Sequence, residues 1–167
     1  MAKLLFFYRG KFFMRYMGLI EDDIVDGDNG ICVSLWMAGC PHRCKGCHNP
    51  ETWNYKNGEE IDRNELINKI KTAINKYGIT RNFSILGGEP LAPFNIEDTK
   101  EIVLAIRKEF PDIQIYLWTG YIYEQIKEAA KDIFDNINVL IDGPYIEALR
   151  KIEPLKGSTN QRIIKLK

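Results

Sequence analysis

Residues 31–53 read ICVSLWMAGCPHRCKGCHNPETW, an apolar, β-branched run that stops at Gly39 and opens into Cys40, Cys44 and Cys47. The run 31–39 predicts a buried strand, and its terminal glycine predicts that the strand delivers the cysteines on a loop. Outward from this stretch the same pattern recurs. IDRNELINKIKTAINKYG (61–78) predicts a helix with Asp62 and Glu65 as a capping box. Its apolar face is Leu66, Ile70, Ala73, Ile74 and Tyr77, and Gly78 stops it. NFSIL (82–86) is a second strand running into Gly87-Gly88-Glu89-Pro90, followed by a helix over 95–110, capped by Asn95 or Asp98 and ended before Pro111. IQIYLW (113–118) leads into Thr119-Gly120, YEQIKEAAK (123–131) predicts a third helix, and INVLI (137–141) leads into Asp142-Gly143-Pro144.

Strands alternating with helices predict right-handed βαβ units, an α/β fold and a mainly parallel sheet. Four or five strands are too few to close an eight-fold barrel, so a partial, open (βα) barrel is expected. In parallel sheets ligands sit beyond the carboxyl ends of the strands. The loops GCPHRCKGC, GGEP, TGY and DGPY all follow strands and are therefore expected to gather at one edge.

The chain has 167 residues, 45% of them hydrophobic and 28% charged, which suits one globular domain with a buried core. Its 23 basic and 23 acidic residues cancel, giving no overall field to hold nucleic acid or an anionic membrane. The basic, apolar start MAKLLFFYRGKFFMRYMG does not read as a secretory signal. Its apolar run, Leu4 to Tyr8, is shorter than the roughly 7–15 residues such a signal needs, and no small-residue cleavage site follows. No stretch approaches the roughly 18 apolar residues of a membrane span. A cytoplasmic protein with reduced thiols is the expectation.

Cys40, Cys44 and Cys47 form a C-x-x-x-C-x-x-C loop, and three readings are open on that spacing. Three soft thiolates from one glycine-containing loop suit an iron–sulfur cluster. A structural zinc site wants four ligands, which His42 or His48 would complete, although zinc ribbons usually split their ligands into two separated pairs. Disulfides need one of the three to reach Cys32 and an oxidising compartment. Ligand count and compartment favour the cluster, and Cys32, mid-strand, reads as a small buried hydrophobe. Three cysteines on a four-iron cubane leave one iron without a protein ligand, which points to substrate chemistry at an open metal site.

With the cysteine loop after the first strand and GGEP after the next, the sequence resembles the radical S-adenosylmethionine enzymes. DIVDGDNGICVSLWMAGC, GCHNPETWN, LGGEPLAPFN, IYLWTGY, NVLIDGPY and GSTNQRII, in that order, narrow the resemblance to the activating proteins of anaerobic (class III) ribonucleotide reductase. That resemblance covers 14–167 as a single domain and leaves 1–13 as an extension, dispensable or the result of an upstream start.

The resemblance implies that Cys40, Cys44 and Cys47 ligate a 4Fe–4S cluster. It also implies that Gly46, Cys47, His48, Gly87, Gly88 and Glu89 contact S-adenosylmethionine. Thr119 joins them or caps a helix, Glu89 has the plainer reading of a helix N-terminal charge, and Asp142 is a site group or a turn residue. Trp53 and Trp118 read as packing residues able to wall a radical from water. GSTNQRII reads as a polar turn before a final strand, or as a contact to partner or cofactor. The implied chemistry is reduction of the cluster by a flavodoxin or ferredoxin, cleavage of the cofactor to a 5′-deoxyadenosyl radical, and hydrogen abstraction from a glycine of the large reductase subunit. That chemistry needs no side-chain acid or base. Gly46 departs from the family habit of an aromatic or large apolar residue before the third cysteine, leaving His48 or a neighbour to meet the adenine. The rival readings are a pyruvate formate-lyase activator, a small deazapurine-forming enzyme and, in another class, a zinc-stabilised α/β binding module.

Overall fold

The computed structural model describes residues 12–167. Residues 1–11 of the expected extension lie outside the described residues. The first strand, β1 (Phe13–Asp23), begins one residue before the expected domain boundary, and the Phe12 carbonyl accepts from the Arg63 amide at 2.7 Å.

The four expected strands are present as β2 (Cys32–Met37), β4 (Asn82–Gly87), β5 (Ile115–Trp118) and β6 (Val139–Asp142), joined side by side in parallel. Around them the count of four or five strands is corrected to seven. β1 pairs antiparallel with β2, β3 (Glu59–Asp62) pairs antiparallel with β1, and β9 (Arg162–Lys165) pairs antiparallel with β6. The sheet order is β3-β1-β2-β4-β5-β6-β9, so the sheet is mixed, with a parallel centre. The physical reason is position: central parallel strands are covered on both faces and read as apolar runs, whereas the flanking strands alternate with charges and carry little signal. The polar turn before a final strand is borne out at 157–164, where β9 follows.

The side-chain period of two divides the parallel strands into unlike faces. Val33, Leu35, Met37, Phe83, Ile85, Ile115, Leu117 and Leu140 pack in the main core with the helices α1 (Arg63–Ile74), α2 (Ile96–Glu109), α3 (Tyr123–Ile126) and α4 (Lys131–Phe134). Cys32, Tyr116, Val139 and Ile141 form a smaller cluster on the other face, with Trp118 and Leu155 packed against it. A short antiparallel hairpin, β7 (Arg150–Glu153) and β8 (Lys156–Ser158), belongs to this second side: the Trp118 indole donates to the Leu155 carbonyl at 2.8 Å.

Local expectations needed adjustment. Asp62 caps α1, accepting from the Asn64 and Glu65 amides at 2.9 and 3.1 Å, but Glu65 pairs with Lys69 and does not complete a capping box. That helix ends at Ile74, before the expected Gly78, and Tyr77, in the left-handed region with φ 57°, is 83% exposed instead of lying on the apolar face. Asn95 stands at the N-cap of α2 without capping it, because its amide donates to the Ala38 and Glu89 carbonyls. The single helix expected over 123–131 is two short pieces, broken where Ala130 turns into the core.

Candidate functional site

All four strand-end loops meet in one cavity of about 590 Å³, lined by Cys40, Cys44, Cys47, the Gly87-Gly88-Glu89 turn, Thr119-Gly120, Gly143 and Tyr145. The convergence follows from the parallel register: β2, β4, β5 and β6 all run the same way, so their exits share an edge. The volume falls within the range of small-molecule sites.

The cysteine loop is tied down at its ends and open between. The Gly39 and Cys40 amides donate to the Thr52 and Trp53 carbonyls at 2.7 and 3.1 Å, so the PETW turn closes the loop like a staple. Within it the Cys47 amide donates to the Cys44 carbonyl at 3.1 Å, and the Asn49 amide to the Cys47 sulfur at 3.4 Å. All three thiols are partly exposed, while Cys32 is buried on the sheet as expected. Burial pushes the Cys40 thiol up, with the Glu89 carboxylate adding to it. Among the described residues no three His, Cys, Asp or Glu side chains converge tightly enough to hold a single metal ion.

The two glycines of the GGEP turn are dictated by packing. Gly87 lies at φ +100°, and a Cβ there would stand 2.9 Å from the Met37 nitrogen. A Cβ on Gly88 would collide with the Gly39 carbonyl. The turn presses this closely because the Gly88 and Glu89 amides donate to the Met37 and Gly39 carbonyls, at 2.9 and 2.8 Å. The Glu89 side chain is 1% exposed. Its Oε1 accepts from the Leu91 amide and the Thr119 hydroxyl at 2.9 and 2.8 Å. Its Oε2 accepts from the Gly120 amide and from His42 Nε2, each at 2.7 Å. The Thr119 hydroxyl also accepts from the Tyr121 amide, whereas the first residue of α3, Tyr123, donates its amide to Asp142. Asp142 is thus a fully buried anchor: it takes that helix terminus and the Arg162 guanidinium, which itself reaches Glu124.

The sequence also singled out Gly46, His48 and the two tryptophans. Gly46 lies at φ +74° beside Glu147, whose carboxylate occupies the space a Cβ would need, and Lys45 pairs with the same Glu147 at 3.7 Å. His48 lines the cavity and stacks at a tilt on Tyr145, ring centroids 5.3 Å apart. Trp118 lines the cavity and Trp53 does not, although Trp53 faces the outer side of the cysteine loop near Phe94. Trp36, read from the sequence only as a strand residue, lines the cavity as well, and its buried indole N–H has no acceptor among the described residues.

GSTNQ acquires a role in this geometry. Gln161 accepts from the Gly157 and Ser158 amides at 2.8 and 3.3 Å and donates to the Gly143 carbonyl at 3.0 Å, while Asn160 donates to the Pro144 carbonyl at 2.8 Å. These amides fasten the hairpin and the DGPY loop together as one wall of the cavity. Sequence reasoning also missed Val25 and Asp26, which line the cavity as well. Burial, and then the neighbouring Asp23, push the Asp26 carboxyl up to about 7. The side-chain amides of 160 and 161 were a signal for a braced turn; nothing in the sequence of the hairpin or of Val25-Asp26 marked them as cavity walls.

The cavity suits a cluster with a small cofactor beside it: three partly exposed thiols on one loop, a glycine turn pressed against that loop, and space at a common edge. The comparisons agree. A family model described as a 4Fe-4S single cluster domain matches residues 25–164. The chain is 33% identical to the anaerobic ribonucleoside-triphosphate reductase-activating protein of Haemophilus influenzae over 161 residues, covering 92% of this chain and 99% of the relative. It is 36% identical to the protein of that name from Escherichia coli K12, over 89% and 96% of the two chains, and 35% identical to that of Enterobacteria phage T4, over 90% and 93%. No helix among the described residues is long and apolar enough to cross a membrane. With this coverage, the chain belongs to the family of anaerobic ribonucleoside-triphosphate reductase-activating proteins, and carries its 4Fe-4S single cluster domain.

Proposed function

We propose that this chain is a radical S-adenosylmethionine enzyme that installs a glycyl radical on the large subunit of an anaerobic ribonucleotide reductase. The observation that carries the reading is the meeting of the three cysteines with the Gly87-Gly88-Glu89 turn in one cavity, within a chain of this family. In this reading the mixed sheet, whose residues Trp36, Leu86 and Trp118 line the cavity, serves as the open (βα) barrel of that superfamily, with 14–167 as the domain and 1–13 as an extension.

Cys40, Cys44 and Cys47 hold the 4Fe–4S cluster in this reading. Gly46, Cys47, His48 and the main chain of the Gly87-Gly88-Glu89 turn, with Thr119 beside them, receive S-adenosylmethionine. The cluster held there would supply, once reduced by a flavodoxin or ferredoxin, the one-electron chemistry on S-adenosylmethionine that hydrogen abstraction from a glycine Cα of the reductase requires. The residues of the chain bind and exclude. The Gly88 and Glu89 amides already donate to the protein, so the turn offers carbonyl acceptors, which suit the cofactor's ammonium group. Trp118 and Tyr145 give the cavity aromatic walls that keep water from a radical. The work is placed in the cytoplasm, where thiols stay reduced.

Anaerobic purification and reconstitution test the reading. A brown protein with about four irons per chain, cleaving S-adenosylmethionine to methionine and 5′-deoxyadenosine on reduction, supports it. Colourless protein with a single zinc per chain removes it in favour of a binding module.

A further inference from the structure

Glu89 differs from every other acidic residue at the cavity because its carboxylate is fully engaged by the protein. An ionised carboxylate has about four acceptor positions, and four donors fill them here: the Leu91 and Gly120 amides, the Thr119 hydroxyl and His42 Nε2. These donors come from three of the four loops. A carboxylate that is 1% exposed and accepts four bonds has no lone pair turned toward a ligand; it functions as a node.

The important link is the one to His42, midway between Cys40 and Cys44. With Glu89 ionised, His42 must carry a proton on Nε2 to make this bond. The imidazole is held on other sides as well. Tyr121 meets it edge-on at a centroid distance of 4.6 Å, and Gly120 lies so close that a Cβ there would stand 2.5 Å from the ring. The same glutamate grips the start of the loop, since its amide donates to the Gly39 carbonyl at 2.8 Å. Its carbonyl accepts from Asn95, whose amide group also donates to Ala38. Within the loop from Cys40 to Cys44, His42 thus supplies a side-chain tie to the sheet edge.

We propose that His42 and Glu89 are a positioning pair: the Glu89 carboxylate holds the middle of the cysteine loop through His42, setting the seat of the cluster without touching the cofactor. The inference rests on the cluster reading above. Groups that orient metal ligands from outside the first layer commonly change metal retention by on the order of 10–100-fold when removed.

The test uses the full-length chain, reconstituted anaerobically, with His42→Ala, His42→Gln and Glu89→Gln. His42→Ala leaves Glu89 three donors and the fold intact; His42→Gln keeps an N–H donor at similar reach. The readouts are the rate of cluster loss to an iron chelator, the resonance spectrum of the reduced cluster without S-adenosylmethionine, and the unfolding temperature. His42→Ala and Glu89→Gln are expected to lose the cluster about tenfold faster and to alter the spectrum, with His42→Gln within about twofold of the parent. Lowered unfolding temperature with unchanged retention and spectrum overturns the proposal, because the pair is then only structural. An unchanged cofactor-free spectrum and retention in Glu89→Gln, with weakened S-adenosylmethionine binding, also overturns it, since Glu89 is then a cofactor ligand. Parent protein that takes up no four-iron cluster fails the underlying reading before any variant is compared.

Discussion

Two walls of the same cavity are built on opposite principles. On the GGEP side, polar groups are buried and matched: Glu89 and Thr119 are 1% and 4% exposed, and their side-chain oxygens are bonded within the protein. On the cysteine side, the loop is secured at its ends, takes left-handed conformations at Arg43 and Gly46, and leaves its three sulfurs partly open. The contrast separates scaffold from socket. Buried polar networks that are fully satisfied rigidify a site, whereas a loop awaiting a bulky inorganic group must keep its soft ligands free.

Removing a ligand should separate the two walls most sharply. Cys44→Ala is expected to abolish cluster assembly and radical formation while leaving the unfolding temperature of the iron-free protein within about 2 °C of the parent, since the thiol is partly exposed. Iron analysis and thermal unfolding check this, and a collapsed fold would contradict it.

The same substitution at two glycines then compares scaffold with socket. In Gly88→Ala the new methyl meets the Gly39 backbone, which cannot swing aside. A cost of about 2–3 kcal/mol is expected, lowering the unfolding temperature on the order of 4–12 °C. In Gly46→Ala the obstacle is the end of the half-exposed Glu147 side chain, which can rotate away, so chiefly the left-handed backbone at φ +74° resists. About 1 kcal/mol is expected there. Equal losses at the two positions would erase the distinction.

The smallest effect is at Val25-Asp26. Asp26 has its folded-state value raised from 3.8 to about 7, so the folded protein binds a proton that the unfolded chain has released. Its contribution therefore favours folding below about pH 4 and is lost as pH rises toward 7. Asp26→Asn is expected to flatten that fall, raising the unfolding temperature at pH 7.5 relative to pH 5 by on the order of 2–4 °C, a figure discounted for the partial exposure of the group. An unchanged pH profile would show that Asp26 is not held protonated.

Legibility in the sequence followed the same division. The parallel centre was readable because strands covered on both faces leave predominantly apolar runs such as 31–39 and 137–141, each followed by or ending in a glycine where it meets the site. The loops could be placed together from strand direction alone. β1 and the edge strand β3 were not readable, because FMRYMGLIEDD and EEID mix charges with apolar residues and their pairing is long-range, and nothing in the expected final strand showed that it would pair with β6 as the other edge. Nor could spacing show that Glu89 is saturated by His42, Thr119 and Gly120, since those partners come from separate loops and meet only in the fold. The choice for Asp142 between a site group and a turn residue stayed open for a similar reason: the residues that make it a buried anchor, Tyr123 and Arg162, lie about twenty positions away on either side.

The central claim is that the open wall generates a radical for transfer to a protein partner. Its most direct measurement combines the reconstituted chain, S-adenosylmethionine, reductant and an anaerobic ribonucleotide reductase under argon, with electron paramagnetic resonance as the readout. A doublet characteristic of a glycyl radical on the reductase, absent when Cys44→Ala replaces the parent, is predicted. Cleavage of S-adenosylmethionine with no doublet on the reductase would contradict it.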